Sequence, residues 1–215
     1  MKLITSLVST AVAAAALAAS VDAAIVKVTV SGTVEFNLFS SGALAGVPSG
    51  SAAKMSFLLD SNTFVNSGFN PTRGYVIDKA SWSFTAGAGA ITLQNPYPAG
   101  QVPYFVLRNN NPAVDGFFIA ENVDNLSGLD TSITNADMAF HATYGGSLLD
   151  SLDILDAVGT YDFTGLTIFN WTMDVGPGTP MGMIYDSMTI EVIPAPAAFP
   201  LLGLAALCGG RRRLR

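Results

Sequence analysis

The single histidine sets the first limit on what chemistry this chain could perform. A Ser-His-Asp or Cys-His arrangement would have to use His141, because the sequence contains no other histidine. Apolar and polar residues alternate around it, which places His141 on the polar face of a predicted strand, where a solvated side chain is expected. The only cysteine, Cys208, lies close to the C-terminus. We therefore expect no nucleophilic active site of these types.

Metal binding is restricted in the same way. Zinc sites need three or four nitrogen or sulfur ligands, which one histidine and one distant cysteine do not supply. Calcium prefers hard oxygen ligands, and two acidic groups offer them, although neither matches the twelve-residue EF-hand pattern. The first group is Glu121, Asp124 and Asp130, and the second is Asp150, Asp153 and Asp156 at a spacing of three. Calcium is thus the one candidate cofactor, with a solvated acidic surface as the alternative for both groups.

Other catalytic patterns are absent or unspecific. Gly87 and Gly89 lack the third glycine and the following helix of a dinucleotide-binding loop. Aspartate and glutamate are numerous enough for a glycoside-acting enzyme, but no pair is distinguished by its setting. Aromatic residues near loops could instead stack on sugar rings in a carbohydrate-binding module, and the candidates are Tyr97, Tyr104 and Tyr144. We expect a protein without catalytic activity.

The charges are unevenly distributed along the 215 residues. Residues 24–192 contain fifteen Asp or Glu against five Lys or Arg, a net charge of −10, whereas the whole chain has −6. Such an acidic body disfavours nucleic acid and anionic lipid as partners. The same residues contain no cysteine, so this part of the chain forms no internal disulfide.

The body is dominated by the period-two pattern of half-buried strands. Val26 to Leu38 alternates strictly, and Gly32 within it predicts a bend or a close backbone approach. A change of phase predicts a bulge near Lys79. Two apolar runs, 104–107 and 117–120, predict a hairpin. Only Ser147 to Asp156 has leucines at helical spacing.

Two further irregularities are expected in the second half of the body. The pattern is disturbed near Gly165, and the last strand changes parity after Tyr185. A large set of residues is expected to fill the core there: Tyr161, Phe163, Phe169, Trp171 and Met173. Many short strands with almost no helix predict an all-β fold, a single antiparallel β-sandwich of jelly-roll type.

The N-terminus has the features of a secretory signal peptide. A positive start, Met1-Lys2, is followed by an apolar stretch to Ala19 and by Val21-Asp22-Ala23 before the predicted cleavage site. The mature chain would begin at Ala24. The alternative, an uncleaved anchor, is disfavoured because the apolar stretch is short and rich in alanine.

The C-terminus has the features of a short membrane stop. Ala197 to Gly210 are fourteen uncharged residues, and as a helix they would span about 21 Å of a hydrocarbon core of roughly 30 Å. A basic cluster follows and favours a cytoplasmic end: Arg211, Arg212, Arg213 and Arg215. The short length favours transient retention over permanent anchoring. The alternative, a buried C-terminal helix, is disfavoured by these arginines.

This tail resembles the sorting signals of the PEP-CTERM class, and more closely the VPLPA-CTERM variant. The motif reads Ile193, Pro194, Ala195, Pro196 and Ala197. Ala195 replaces the glutamate of the main class, and Ile193 and Ala195 replace the Val and Leu of the variant. The resemblance implies an exported substrate of an exosortase in a polysaccharide-producing Gram-negative bacterium. The stretch 159–166 also resembles segments in the bodies of such proteins.

The sequence therefore predicts three parts. They are a signal peptide (1–23), a β-sandwich body (24–192) and a C-terminal sorting signal (193–215) with a short transmembrane helix. Expected partners are the export machinery, signal peptidase, the exosortase and the membrane before processing, with extracellular polysaccharide as a further candidate. We expect a non-catalytic protein of the cell surface or extracellular matrix. The alternatives are a carbohydrate-binding module and, after it, a glycoside-acting enzyme.

Overall fold

The computed structural model describes residues 23–110, 113–120, 126–127, 137–174 and 180–194. This part of the chain consists of strands, turns and loops, without a helix, and every strand pairing in it is antiparallel. The strands are β1 (Ile25–Asn37), β2 (Ala52–Asn66), β3 (Thr72–Ile77), β4 (Ser83–Ala86), β5 (Gly89–Leu93), β6 (Tyr104–Arg108), β7 (Val114–Ala120), β8 (Leu126–Ser127), β9 (Asp137–Gly145), β10 (Gly159–Tyr161), β11 (Leu166–Asp174) and β12 (Pro180–Ile193). The all-β antiparallel prediction is confirmed.

Eight of the strands close into a ring, which is a barrel and does not separate into two sheets. The order runs β1-β12-β11-β9-β7-β6-β3-β2, and β2 pairs again with β1. Closure is possible because the longest strands change neighbours along their length. In β2, residues 53–56 pair with β4 and residues 59–66 with β3, while β12 pairs with β11 at 180–182 and with β10 at 188–190. The sandwich part of the prediction is therefore not shown.

Alternation along β1 builds one wall of the core. Val26, Val28, Val30 and Val34 are buried, and their polar neighbours are more exposed. Large aromatic rings from other strands fill the interior. Phe84 of β4 and Phe140 of β9 both meet Trp171 of β11 edge to face, with ring centroids 6.0 and 6.2 Å apart. The interior of the ring is thus a packed core of the kind expected for eight strands.

Gly32 confirms the predicted close backbone approach. A Cβ at this position would overlap the carbonyl oxygen of Ile184 and lie 2.8 Å from the Trp171 ring. The β1–β12 register slips between Ser31 and Gly32, opposite Ser187 and Tyr185. Only a residue without a side chain allows the two strands to pack this closely.

The expected change of parity in β12 is confirmed at the same slip. Met181, Met183 and Tyr185 face inward before it, and Met188 and Ile190 face inward after it.

The predicted hairpin is also confirmed, because β6 pairs with β7 from Tyr104↔Ala120 to Arg108↔Gly116. Around Gly165, a turn with a positive φ of 74° explains the disturbed pattern.

Two local predictions are wrong. The phase change near Lys79 arises from a turn between β3 and β4, and not from a bulge, since Ser81 N and Ser81 Oγ both donate to Asp78 O. Phe163 is not a core residue. It lies on the turn before β11 with 57% of its surface exposed, although its ring contacts Tyr185.

The predicted helical turn at Ser147–Asp156 is also wrong. This segment is an irregular strap over one end of the ring, with Leu149 and Ile154 buried. Several of its amides bond to side chains that are distant in sequence, and a single turn at its end is closed by Asp156 N, which donates to Asp153 O at 3.2 Å. Leu148 N and Leu149 N donate to Asp115 Oδ2, and Ile154 N donates to Tyr75 Oη at 2.9 Å. Hydrogen bonds to side chains far away in sequence therefore determine the backbone of this segment, and the helical spacing of its leucines does not.

The two predicted targeting segments lie mostly outside the described residues. Residues 1–22 and 195–215 are not described, so the signal peptide and the apolar tail stay predictions. Among the residues that are described, no helix is long and apolar enough to cross a membrane. Ile193, the first residue of the sorting motif, is the last residue of β12 and pairs with Ile25, and Pro194 beyond it is exposed.

Candidate binding face

His141 lies on the outer face of β9, as the alternation predicts. Its Nε2 atom is 2.8 Å from Thr143 Oγ1, and its ring lies across the Phe118 ring with centroids 5.8 Å apart. The side chain is half-buried by these contacts. Burial, and then the nearby Arg108 guanidinium, hold the pKa of His141 below its usual 6.5. These surroundings favour the neutral imidazole, which belongs to an aromatic surface.

That surface extends across four strands. Cross-strand register aligns Gly74 of β3, Val106 of β6, Phe118 of β7 and His141 of β9 in one outward-facing row. A shallow groove of about 250 Å³ lies along the β2, β3, β6 and β7 part of it. Its lining comprises Val65, Asn66, Ser67, Thr72, Gly74, Tyr104, Val106 and Phe118.

Tyr104 is a half-buried wall of the groove and lies directly over Gly74. A Cβ at Gly74 would be 3.3 Å from atoms of the Tyr104 side chain. The glycine therefore leaves the space in which the Tyr104 ring packs against the sheet. Of the three tyrosines proposed for sugar stacking, Tyr104 is the one that joins other aromatic side chains on an outer face.

One basic group, Arg108, accompanies these rings. The Cζ atom of Arg108 lies 5.3 Å from the Phe118 ring centroid. Arg73 lies on the opposite face of β3, because it has the parity of buried Tyr75 and its Nη1 atom donates to Tyr75 Oη at 3.3 Å. The alternation places no carboxylate at the outward positions of β3, β6 and β7. Arg108 thus places one positive charge beside the groove of a strongly acidic body.

The turn between β2 and β3 presents one further ring. Phe69 has 98% of its surface exposed. Ser67 fixes the turn beneath it, because its Oγ accepts from Phe69 N at 3.2 Å and from Asn70 N at 3.1 Å, while Ser67 N donates to Thr72 O. Ser67 and Thr72 also line the groove. An exposed aromatic ring therefore stands at the edge of the groove on a structured turn.

The other two tyrosines are placed differently. Tyr144 is wrong as a surface candidate, because only 1% of it is exposed and its hydroxyl lies 3.0 Å from that of Tyr185 in the core. Burial raises its pKa. Tyr97 is half-buried in a separate groove, with Lys79 Nζ 4.5 Å from its ring centroid. All three tyrosines stand near loops, which is why they were proposed together, although Tyr144 shares the parity of the core residues Met138 and Phe140.

Two aspartates line an apolar groove elsewhere, beside β2 and β3. Asp60 and Asp78 share it with Ile25, Leu59 and other residues, and its volume is about 380 Å³. Each carboxylate accepts a backbone N–H two residues later, from Asn62 and Ala80. These are the local bonds of turns and strand ends. They give the pair a structural role.

Of the two candidate calcium groups, only the second lies within the described residues. Glu121, Asp124 and Asp130 lie outside the described residues. In the strap, Asp153 Oδ1 accepts from Leu155 N at 3.0 Å, and Asp156 Oδ2 accepts from Ser151 Oγ at 2.7 Å, while Asp150 is exposed. Where side chains are described, no three His, Cys, Asp or Glu residues are placed to hold one metal ion. Calcium binding stays a prediction.

Sequence reasoning missed Phe69, Phe118 and Asp115. Asp115 is fully buried and supports the strap. A signal for it existed, since Asp115 has the same parity as the core residue Phe117, and a carboxylate at a core position needs hydrogen-bond partners. Phe118 has the opposite parity, so its outward direction could have been read from the same pattern.

Comparisons with known proteins add no relative. No family model, no curated protein and no solved structure matches this chain.

Proposed function

We propose that this chain is a non-catalytic exported protein of the cell surface or extracellular matrix, processed at its C-terminus by an exosortase. The observation that carries the proposal is the three-part tail: the Pro-x-Pro motif, the short apolar stretch and the arginine cluster. The N-terminal signal peptide directs the chain to the export machinery and is removed by signal peptidase, and the tail then retains the chain briefly in the membrane. Gram-negative bacteria that produce polysaccharide are the expected hosts.

The junction between body and tail supports this proposal. β12 ends at Ile193, paired with Ile25, and exposed Pro194 follows directly. Prolines lack the amide donor and keep the preceding residue extended, so the motif would leave the last strand as accessible backbone. A protease could then cut next to the fold without unfolding it.

The processing is tested by mass spectrometry of the surface-released protein in the native host. We expect both ends to be removed, with the second cut close to 194–196. Replacing Arg211, Arg212 and Arg213 by neutral residues should let uncut precursor escape, because the membrane stop is lost. Replacing Pro194 and Pro196 should instead leave precursor in the membrane. Released protein that still ends in Arg215 would refute the proposal.

Carbohydrate binding is the second candidate function of the body. One observation favours it, the outward grouping of Tyr104 and Phe118 beside Arg108 and His141. Binding would require no catalytic residue and would hold the released protein in a polysaccharide matrix. A glycoside-acting enzyme is the third candidate, supported only by the abundance of carboxylates.

A further inference from the structure

One face of the body combines an exposed aromatic ring and two half-buried ones with the guanidinium of Arg108. We name it the aromatic face and define it by Phe69, Tyr104, Arg108, Phe118 and His141. Phe69 stands on the turn bordering the groove, Tyr104 forms a groove wall, and Phe118 lies between Arg108 and His141.

We propose that the aromatic face binds a linear acidic polysaccharide, a chain of uronate-type sugars. This assignment rests on the second candidate function, carbohydrate binding, and is independent of C-terminal processing. Pyranose rings present C–H groups on their flat faces, which pack against aromatic rings and remove apolar surface from water. Their carboxylates form charge-assisted hydrogen bonds with guanidinium groups such as that of Arg108.

The shape of the face favours a chain over a single sugar. The row from Gly74 to His141 crosses three strand spacings, about 14 Å. The groove holds about 250 Å³ and lies on the outer surface of the sheet, while sites for enclosed small molecules typically hold about 300–1,000 Å³. A polymer can continue past both ends of such an open surface.

One local positive charge, that of Arg108, favours an acidic polymer over a neutral one at this face. Residues 24–192 have a net charge of −10, so a polyanion is repelled by most of the body. Arg108, one of the five basic residues of the body, lies at this face, beside outward positions of β3, β6 and β7 that carry no carboxylate. Lys27, by contrast, pairs with Glu191 at 3.5 Å on another part of the surface.

The test measures binding of a defined oligogalacturonate to the full chain, purified in a mild detergent. Isothermal titration calorimetry at low salt gives the affinity, and a neutral cello-oligosaccharide of equal length is the comparison probe. We expect the acidic oligomer to bind more tightly and added NaCl to weaken it, because salt screens exposed charges. The single histidine provides a local reporter, since binding should shift the ring proton signals of His141.

Matched variants locate the site. Phe69→Ser should weaken binding about fivefold or more, and its folding is safe because the side chain makes little contact. Leu38→Ser, an exposed apolar residue after β1, is its control. Arg108→Gln should weaken binding similarly and reduce the salt dependence, with Lys54→Gln on β2 as the control of equal charge.

Three results would overturn the assignment. Equal affinity for the neutral oligomer with no effect of Arg108→Gln would refute an acidic ligand. Acidic-oligomer binding that neither Phe69→Ser nor Arg108→Gln changes would refute this site. Absence of oligogalacturonate binding, with Phe69-dependent binding to vesicles containing anionic lipid, would refute a glycan in favour of a membrane. None of these results affects removal of the C-terminus, so failure here is distinguishable from failure of exosortase processing.

Discussion

At the scale of single residues, the Asp115 side chain connects two backbone segments that are far apart in sequence. Its two carboxylate oxygens accept from Asn110 N at 2.6 Å, Leu148 N at 2.5 Å and Leu149 N at 2.6 Å. The first belongs to the β6–β7 turn, and the other two start the strap. By accepting hydrogen bonds from both segments, this side chain joins the turn and the strap in one arrangement.

Replacing Asp115 by alanine should destabilise the body by about 3 kcal/mol or more, because it leaves three backbone donors without this acceptor. Asp115→Asn should cost less, since the amide oxygen still accepts while its NH₂ group opposes a donor. Urea unfolding measures both. Asp150→Ala, an exposed residue of the same strap, is the control and should change stability by less than about 0.5 kcal/mol. An Asp115→Ala effect no larger than the control would contradict this role.

His141 should make stability depend on pH. Because its folded pKa is lowered from 6.5 by burial and then by Arg108, the unfolded chain binds more protons just below pH 6.5. The contribution of the neutral imidazole is fully present above pH 6.5. It is lost progressively as pH falls toward the folded pKa.

The wild-type chain should therefore lose more unfolding free energy than His141→Gln between pH 7.5 and 5. Parallel pH profiles of the two proteins would refute this. Carboxylates contribute to both curves, so the difference between them isolates the histidine.

At the scale of elements, the tight contact between β1 and β12 depends on Gly32. Gly32→Ala should cost about 1–3 kcal/mol or more, because the new methyl group meets the Ile184 carbonyl and the Trp171 ring. Gly159→Ala is a matched control in β10, where a Cβ would meet nothing within 4 Å. Thermal unfolding of both variants tests the contact, and equal melting temperatures would contradict it.

The same elements show what sequence could and could not predict. Period-two alternation located strands such as β1 because each buries one face, and Gly32 stood out as a glycine on that buried face. The pattern could not distinguish a sandwich from a closed ring, since both bury one face of every strand. It failed for the strap at Ser147–Asp156, where Asp115 and Tyr75 hold the backbone from more than thirty residues away in sequence.

The candidate site was only partly predictable for a related reason. Tyr104 and His141 were identified from their positions near a loop and on a polar face. Their grouping with Phe118 depends on cross-strand register, which pairing of β6, β7 and β9 determines. Tyr144 failed as a candidate because its parity matches the core residues Met138 and Phe140.

At the scale of the whole molecule, ring closure limits the free edges of the sheet. Both edges of β1 are paired, with β12 and β2. Among the described residues, the strands that end the pairing path or branch from it are short, β8 with two residues and β10 with three. Short edge strands offer little template for pairing with another chain. This suits a protein proposed to function outside the cell without disulfides in its body.

Closure also joins the two ends of the body, and this gives the final prediction. Ile25 pairs with Ile193, so the ring forms only when the first and last strands meet. Residues 24–194, produced without the tail, should show a β-dominated far-ultraviolet spectrum and unfold in one transition. Fluorescence of buried Trp82 and Trp171 should change together with that spectrum, because both lie in the same core.

Reductant should have no effect on this unfolding, since the only cysteine, Cys208, is in the tail. A shorter protein, residues 24–186, lacks the end of β12 that pairs with Ile25–Ser31 and β10. It should lose the cooperative transition entirely and not only part of its stability. Two separated transitions in the longer protein, or a folded shorter one, would show that the body is not a single closed unit.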